Sequence, residues 1–136
     1  MFKNILVPVE PSHTERHQQA IETARALADD DAQITAITVI EPVPGYFAMA
    51  ESMPDIQMQA SKSTLVDLKK FAGDDTRVQA KVLHGHAANE INSFAEKEGV
   101  DCIVVASHKP EFADYFLGST AARVVRHAPC SVLVIR

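Results

Sequence analysis

The chain has 136 residues, 46% hydrophobic and 23% charged, with a formal net charge of −5 and two cysteines. That length buries one continuous core and rarely two, so a single domain over residues 1–136 is expected. No apolar run approaches the ~18 residues of a membrane span, and the acidic balance excludes general nucleic-acid binding, which needs a basic surface to release counterions from a phosphate backbone.

The N-terminus, MFKNILVPVE, has a short apolar run and then turns acidic. It lacks the longer apolar stretch and small-residue cleavage site of a signal peptide, so a cytoplasmic location is expected. Lys3 to Val9 reads as a first strand. Ser12-His13-Thr14-Glu15 then has the form of a capping box, and Ala20, Ala24, Leu27 and Ala28 form the buried stripe of a first helix. After ADDDA, Gln33 to Ile40 reads as a second strand. EPVPGYFAMAESMPD is the longest irregular stretch, with Met53 and Pro54 opening a second helix whose buried face is Ser61, Leu65, Leu68 and Ala72.

Arg77 to Leu83 reads as a third strand, and Ile91, Phe94 and Ala95 mark a third helix ending at Gly99. Cys102 to Ala106 is a fourth strand, almost wholly apolar, as expected where both faces are covered. Gly118 to His127 is a fourth helix with Ala121, Val124, Val125 and Ala128 at helical spacing, stopped by Pro129. Ser131 to Ile135 is the last strand. Cys102 and Cys130 each lie in or beside a β-branched run and read as buried free thiols, not as a disulfide or metal pair. The strict alternation of strand and helix predicts an α/β fold with a parallel sheet, right-handed crossovers and helices on both faces. Such sheets take ligands at the carboxyl ends of their strands, where the winding reverses.

Gly118-Ser119-Thr120 opens the fourth helix. First-turn amides lack intrahelical acceptors, the macrodipole favours an anion there, and two hydroxyls can donate to phosphate oxygens. The alternative is a plain cap, with Gly118 permitting the turn, so that a branched residue in its place would block entry into the helix. Glu10 ends the first strand, where a carboxylate can accept from ribose hydroxyls, or can be a solvated loop charge beside Pro11. His84-Gly85-His86 offers two rings but no third ligand of suitable spacing, so a structural metal is not expected. His108 lies in the loop before Gly118, and His127 ends the fourth helix beside Arg126, where cations satisfy the last carbonyls. G-x-x-x-x-G-K-[ST], G-x-G-x-x-G and G-x-S-x-G are absent, and no catalytic set is grouped in one place.

ILVPVEPS, ITVIEP, VLHGHAANEI, DCIVVASH and LGSTAARVVRHAPCSVLVIR, in that order, resemble the universal stress protein family over essentially the whole chain. ASHKPEFADYFLGS is similar to the F/G-like branch. The resemblance implies a Rossmann-like sandwich of the adenine nucleotide alpha hydrolase-like type, with four helices and a five-stranded parallel sheet in the order 3-2-1-4-5. It also implies a homodimer. Many members bind ATP through a motif written G-2x-G-9x-G-[ST]. Its last two residues match Gly118 and Ser119, Ala106 and Lys109 stand at its first two glycines, and the interval from Lys109 to Gly118 is one residue shorter. A side chain then occupies a place where bare backbone would approach phosphates, and Lys109 can supply by charge what the glycine supplied by closeness. Carried over by position, Pro8, Val9 and Glu10 match the adenine and ribose segment. Val39 matches the residue whose backbone meets the adenine edge. Val105, Ala106, His108 and Lys109 match the ribose and phosphate side, and Gly118, Ser119 and Thr120 the phosphates.

These readings together describe a cytoplasmic stress-response protein holding an adenine nucleotide as a regulatory ligand: ATP, or AMP or ADP, with Mg accompanying the phosphates where required. It is not expected to be an enzyme of fast turnover, since no evident base activates water, although slow hydrolysis or self-phosphorylation at Ser119 or Thr120 stays open. The rival reading is a dimeric interaction module of the same fold that has lost nucleotide binding. Either way the uncovered last strand, Ser131 to Ile135, is expected to pair with its twin in a homodimer.

Overall fold

The alternating pattern is realised as β1 (Phe2–Pro8), α1 (Thr14–Leu27), β2 (Ala28–Ile40), α2 (Met53–Ala72), β3 (Val78–His84), α3 (Ala87–Lys97), β4 (Cys102–Ala106), α4 (Ser119–His127) and β5 (Ser131–Ile135). The computed structural model describes residues 1–10, 14–42, 53–107 and 117–136. The expected capping box at Ser12, most of the irregular stretch before α2, and His108 and Lys109 lie outside them.

The five strands form one sheet in the order β3-β2-β1-β4-β5, and every neighbouring pair is parallel. This is the expected order. The chain winds outward from β1 through β2 to β3, then crosses back to β4 and winds the other way, so the carboxyl ends of β1 and β4 flank the reversal.

Period-two alternation gives each sheet face its own core. Ile5 and Val7 of β1 point to one side, with Ala20, Ile21 and Ala24 of α1 and Leu68 and Phe71 of α2. Leu6 points to the other, with Ile37, Ile103, Ala88 and Ile91 of α3, and Ala121 and Val124 of α4. Cys102 belongs to the first cluster and Cys130 packs on the second, so the two thiols lie on opposite faces of the sheet. Both are free. Cys102 is buried, and that burial pushes its thiol up to about 11. Cys130 is half-buried and not fully enclosed as expected; burial raises its thiol too.

One expectation about element content needs correction. β2 begins at Ala28, so the acidic triplet Asp29 to Asp31 lies inside the strand and Ala28 is not helical. The triplet is accommodated by an irregular register, in which Phe2 pairs with Ala28 and Asn4 with Gln33. It is anchored at Asp29, whose carboxylate receives the Met1 ammonium and whose carbonyl accepts from Arg77 at 3.4 Å. On α4 the buried stripe is Ala121 and Val124, whereas Val125 is 45% exposed, because it stands a further ~100° around the helix.

The amino end of the sheet carries the stabilising polar contacts. Asp75 receives Arg77 Nη2 at 3.0 Å and Arg25 Nε at 3.2 Å, and Arg25 also donates to the last carbonyls of α2 at Phe71 and Ala72. Hydrogen bonds from Arg77 hold the Asp75 carboxyl down at about 2. Asp101 accepts from the Lys3 and Asn4 amides, tying the start of β1 to β4. Among the described residues no helix is long and apolar enough to cross a membrane.

Candidate functional site

At the carboxyl end of the sheet, where β1 and β4 diverge, lies a cavity of about 770 Å³. Pro8, Val9, Glu10, Val39, Val105, Ala106, Gly118, Ser119 and Thr120 all line it. The structure therefore brings together every candidate residue that it describes.

The wall at the end of β1 is held by neighbouring elements. The Val9 N–H donates to Ile37 O at 2.7 Å, and the Thr38 hydroxyl, buried in β2, donates to Val9 O at 2.7 Å. The Glu10 N–H donates to Nε2 of His17 on α1 at 3.1 Å. Nε2 of His17 is thus the acceptor that holds the Glu10 backbone. The Glu10 residue itself is exposed at the cavity mouth.

Val39 owes its position to strand alternation. Even-numbered residues of β2 bond toward β3: Ile34 N–H donates to Arg77 O, and Ile40 O accepts from Gly85 N–H. Odd-numbered residues face β1, as Ile37 O does in accepting from Val9. The backbone of Val39 consequently faces the β1 side one step beyond Pro8, where β1 has ended. The next donor in register would be residue 11, a proline, which has no N–H. No backbone partner for Val39 on that side occurs among the described residues. A donor and an acceptor stand side by side on the cavity wall.

The opposite wall is organised by Ser107, which is buried just after β4. Its N–H donates to Ile135 O at 2.8 Å, its carbonyl accepts from Arg16 Nη1 at 2.5 Å, and its hydroxyl oxygen accepts from the Gly118 N–H at 3.2 Å. Gly118 is the N-cap of α4 with φ −55° and ψ 150°, and no side chain caps the helix. These angles suit any L-residue, so the expectation that the turn itself demands glycine is corrected. The Gly118 amide is also occupied by Ser107. That leaves the Ser119, Thr120 and Ala121 amides as the first-turn donors without intrahelical acceptors.

At the rim, Glu41 accepts from the Ala87 N–H at 3.0 Å, and so caps α3 from outside that helix. Gly85 beside it has φ +140°, and a Cβ there would lie 2.8 Å from Glu90 Oε1. The positive φ favours glycine here, whereas the contact is with the Glu90 side chain, which can turn away. The chemistry on offer is thus a donor and acceptor pair at Val39, carboxylates at Glu10 and Glu41, and a row of amides at the positive end of α4. Among the described residues no group of three or more His, Cys, Asp or Glu side chains could hold a metal ion.

Comparison with known proteins gives this geometry a family. The profile described as Universal stress protein family matches residues 1–136. The chain belongs to the universal stress protein family. Universal stress protein G of Escherichia coli O157:H7 is 31% identical over 143 aligned positions, covering 100% of both chains. The structure of universal stress protein UspA from Lactobacillus plantarum superposes with a TM-score of 0.74 at 26% identity, over 99% of this chain and 98% of that one. The universal stress protein from Archaeoglobus fulgidus, determined in complex with dAMP, superposes with a TM-score of 0.62 at 18% identity, over 99% of this chain and 98% of that one.

Sequence reasoning about this universal stress protein missed His17, Thr38, Glu41 and Ser107. A signal for His17 existed, since it stands three residues before Ala20 on the buried stripe of α1 and is only 4% exposed. A polar residue on an apolar stripe invites a search for its partner. Thr38, Glu41 and Ser107 act through contacts between segments far apart in sequence, which local patterns do not carry.

Proposed function

We propose that the protein is a cytoplasmic universal stress protein that binds an adenine nucleotide, ATP or its AMP and ADP forms, as a regulatory ligand in a stress response. The observation that carries this reading is the Val39 backbone, a donor beside an acceptor, the pair that an adenine edge calls for, in a cavity that also includes the amino terminus of α4. A cavity of about 770 Å³ is of nucleotide size. The Archaeoglobus fulgidus relative carries dAMP, which supports an adenine nucleotide as the ligand class. Turnover is not part of the proposal, which assigns the cavity a binding role alone.

The test is calorimetry of ATP, AMP and GTP against the purified protein, with denatured samples checked for released adenine absorbance. ATP is expected to bind at least about tenfold more tightly than GTP, whose base presents the opposite donor and acceptor order to the Val39 backbone. Equal affinities would reduce binding to a phosphate effect at α4. Two features favour the module that has lost nucleotide binding: the Gly118 amide is taken by Ser107, and Ala106 stands at the first glycine of the ATP motif that the family resemblance implies. Absence of binding by all three nucleotides would select that reading.

We also propose a homodimer through β5, Ser131 to Ile135. β5 is an edge of the sheet, and Leu133 on it is 37% exposed. Val134→Lys is expected to convert a dimer into a monomer in light scattering at micromolar concentration. A wild-type monomer under those conditions would remove the proposal.

A further inference from the structure

β3 is the other edge of the sheet. Arg77 O accepts from β2 and Gly85 N–H donates to it, so the odd-numbered residues of β3 bond inward, and the backbone N–H and C=O groups of Ala80 and Val82 point outward. Among the described residues nothing pairs with these groups. Beside them runs a groove of about 350 Å³, walled by Met58, Lys62 and Leu65 of α2 and by Ala80 and Val82 of β3. Met58 is 56% exposed there. Among the described residues no acidic side chain lines the groove, although the chain carries a net charge of −5. The two faces of the edge differ. Ala80 and Val82 pack on the side of α1 and α2, whereas Lys81 reaches the side of α3, where its Nζ stands 5.4 Å from the centroid of the Phe94 ring.

We propose that this edge and its groove dock an extended segment of a partner protein in which apolar and acidic side chains alternate. The segment adds to the sheet as a further strand, bonding to the free backbone groups of Ala80 and Val82. Period-two alternation then sends one set of its side chains over the groove and the other set over the Lys81 side. The groove set is apolar and covers Met58 and Leu65; the other set is acidic and meets the Lys81 ammonium. Lys62, on the groove wall, adds to the preference for an anionic segment. A second copy of this chain fits poorly. Two-fold pairing that used the outward groups of both residues would set Lys81 opposite its twin, and like charges so placed repel. The groove shares no lining residue with the cavity of the proposed function and is a separate site.

The experiment titrates the full chain into fluorescently labelled, end-blocked peptides of about eight residues that alternate valine with glutamate or valine with lysine, read by polarisation at low salt. Wild type is expected to bind the glutamate peptide at least about tenfold more tightly than the lysine peptide. The net charge of −5 alone would favour the lysine peptide. Lys81→Glu, at an exposed position, should reverse the order. Val82→Pro removes an outward N–H but no bond to β2, and should weaken the glutamate peptide at least about tenfold in a chain that circular dichroism shows to be folded. Should Val82→Pro fail to fold, the wild-type amide resonances of Ala80 and Val82 decide instead: their movement on adding the glutamate peptide supports the docking, and their constancy overturns it. Equal or reversed preference in wild type, binding of neither peptide at millimolar concentration, or an unchanged order in Lys81→Glu also overturns the inference. So does movement of those two amides on raising the protein concentration alone, which would give the edge to a second copy.

Discussion

Leu6→Ala is expected to lower the free energy of unfolding by about 3–4 kcal/mol, measured as a shift of the urea midpoint at unchanged slope. Leu6 is fully buried on the central strand, in register with Thr35 of β2 and Ile103 of β4. It packs in the cluster that joins the sheet to α3 and α4. Strands on both sides fix the backbone at this point, so the surroundings cannot collapse into the space of the lost side chain. The cost is then a transfer term plus a cavity term, a large share of the roughly 5–15 kcal/mol typical of a domain. The fitting control is Val125→Ala, at a position 45% exposed, which is expected to change stability by less than about 0.5 kcal/mol. A Leu6→Ala loss under about 1 kcal/mol would show that this face of the sheet is loosely packed.

The contrast between Leu6 and Val125 also shows what the sequence makes legible. β4 and β5 have the bounds read from their apolar runs, since Asp101 and Pro129 punctuate them cleanly. The start of β2 was hidden because three aspartates break the hydrophobic pattern. What holds the first of them is an ammonium and a guanidinium remote in the chain, Met1 and Arg77. Val125 is at the helical spacing and yet exposed, because spacing alone does not give the width of a buried stripe. The same division runs through the site. Val39 and Ser119 could be placed because strand and helix ends fix where backbone groups point. The role of Ser107, which joins α1, β5 and the N-cap of α4, exists only in three dimensions.

The largest functional effect is expected at the first residue of α4. Under the proposed function, Ser119→Asp should weaken ATP at least about 100-fold, leave adenosine within about twofold, and leave the thermal midpoint the same or higher. The three readouts separate because the substituted carboxylate acts differently on ligand and fold. On the fold it is favourable: α4 begins at Ser119 with no side-chain cap, and an acidic side chain in the first turn contributes about 0.3–1 kcal/mol against the macrodipole. On the ligand it is unfavourable twice, since it competes for the Ser119, Thr120 and Ala121 amides and repels a phosphate a few ångströms away. Two like charges 4 Å apart near a protein surface repel by about 4 kcal/mol before screening. Half to two-thirds of that is already close to a 100-fold loss, and added salt should attenuate it. Adenosine has no charge to repel and meets the Val39 side of the cavity. Ser119→Asn supplies the shape without the charge and should weaken ATP by no more than about fivefold. Equal losses in the Asp and Asn variants would make the effect steric. Unchanged ATP affinity in Ser119→Asp would place the phosphates away from α4 and withdraw the helix terminus from the binding site.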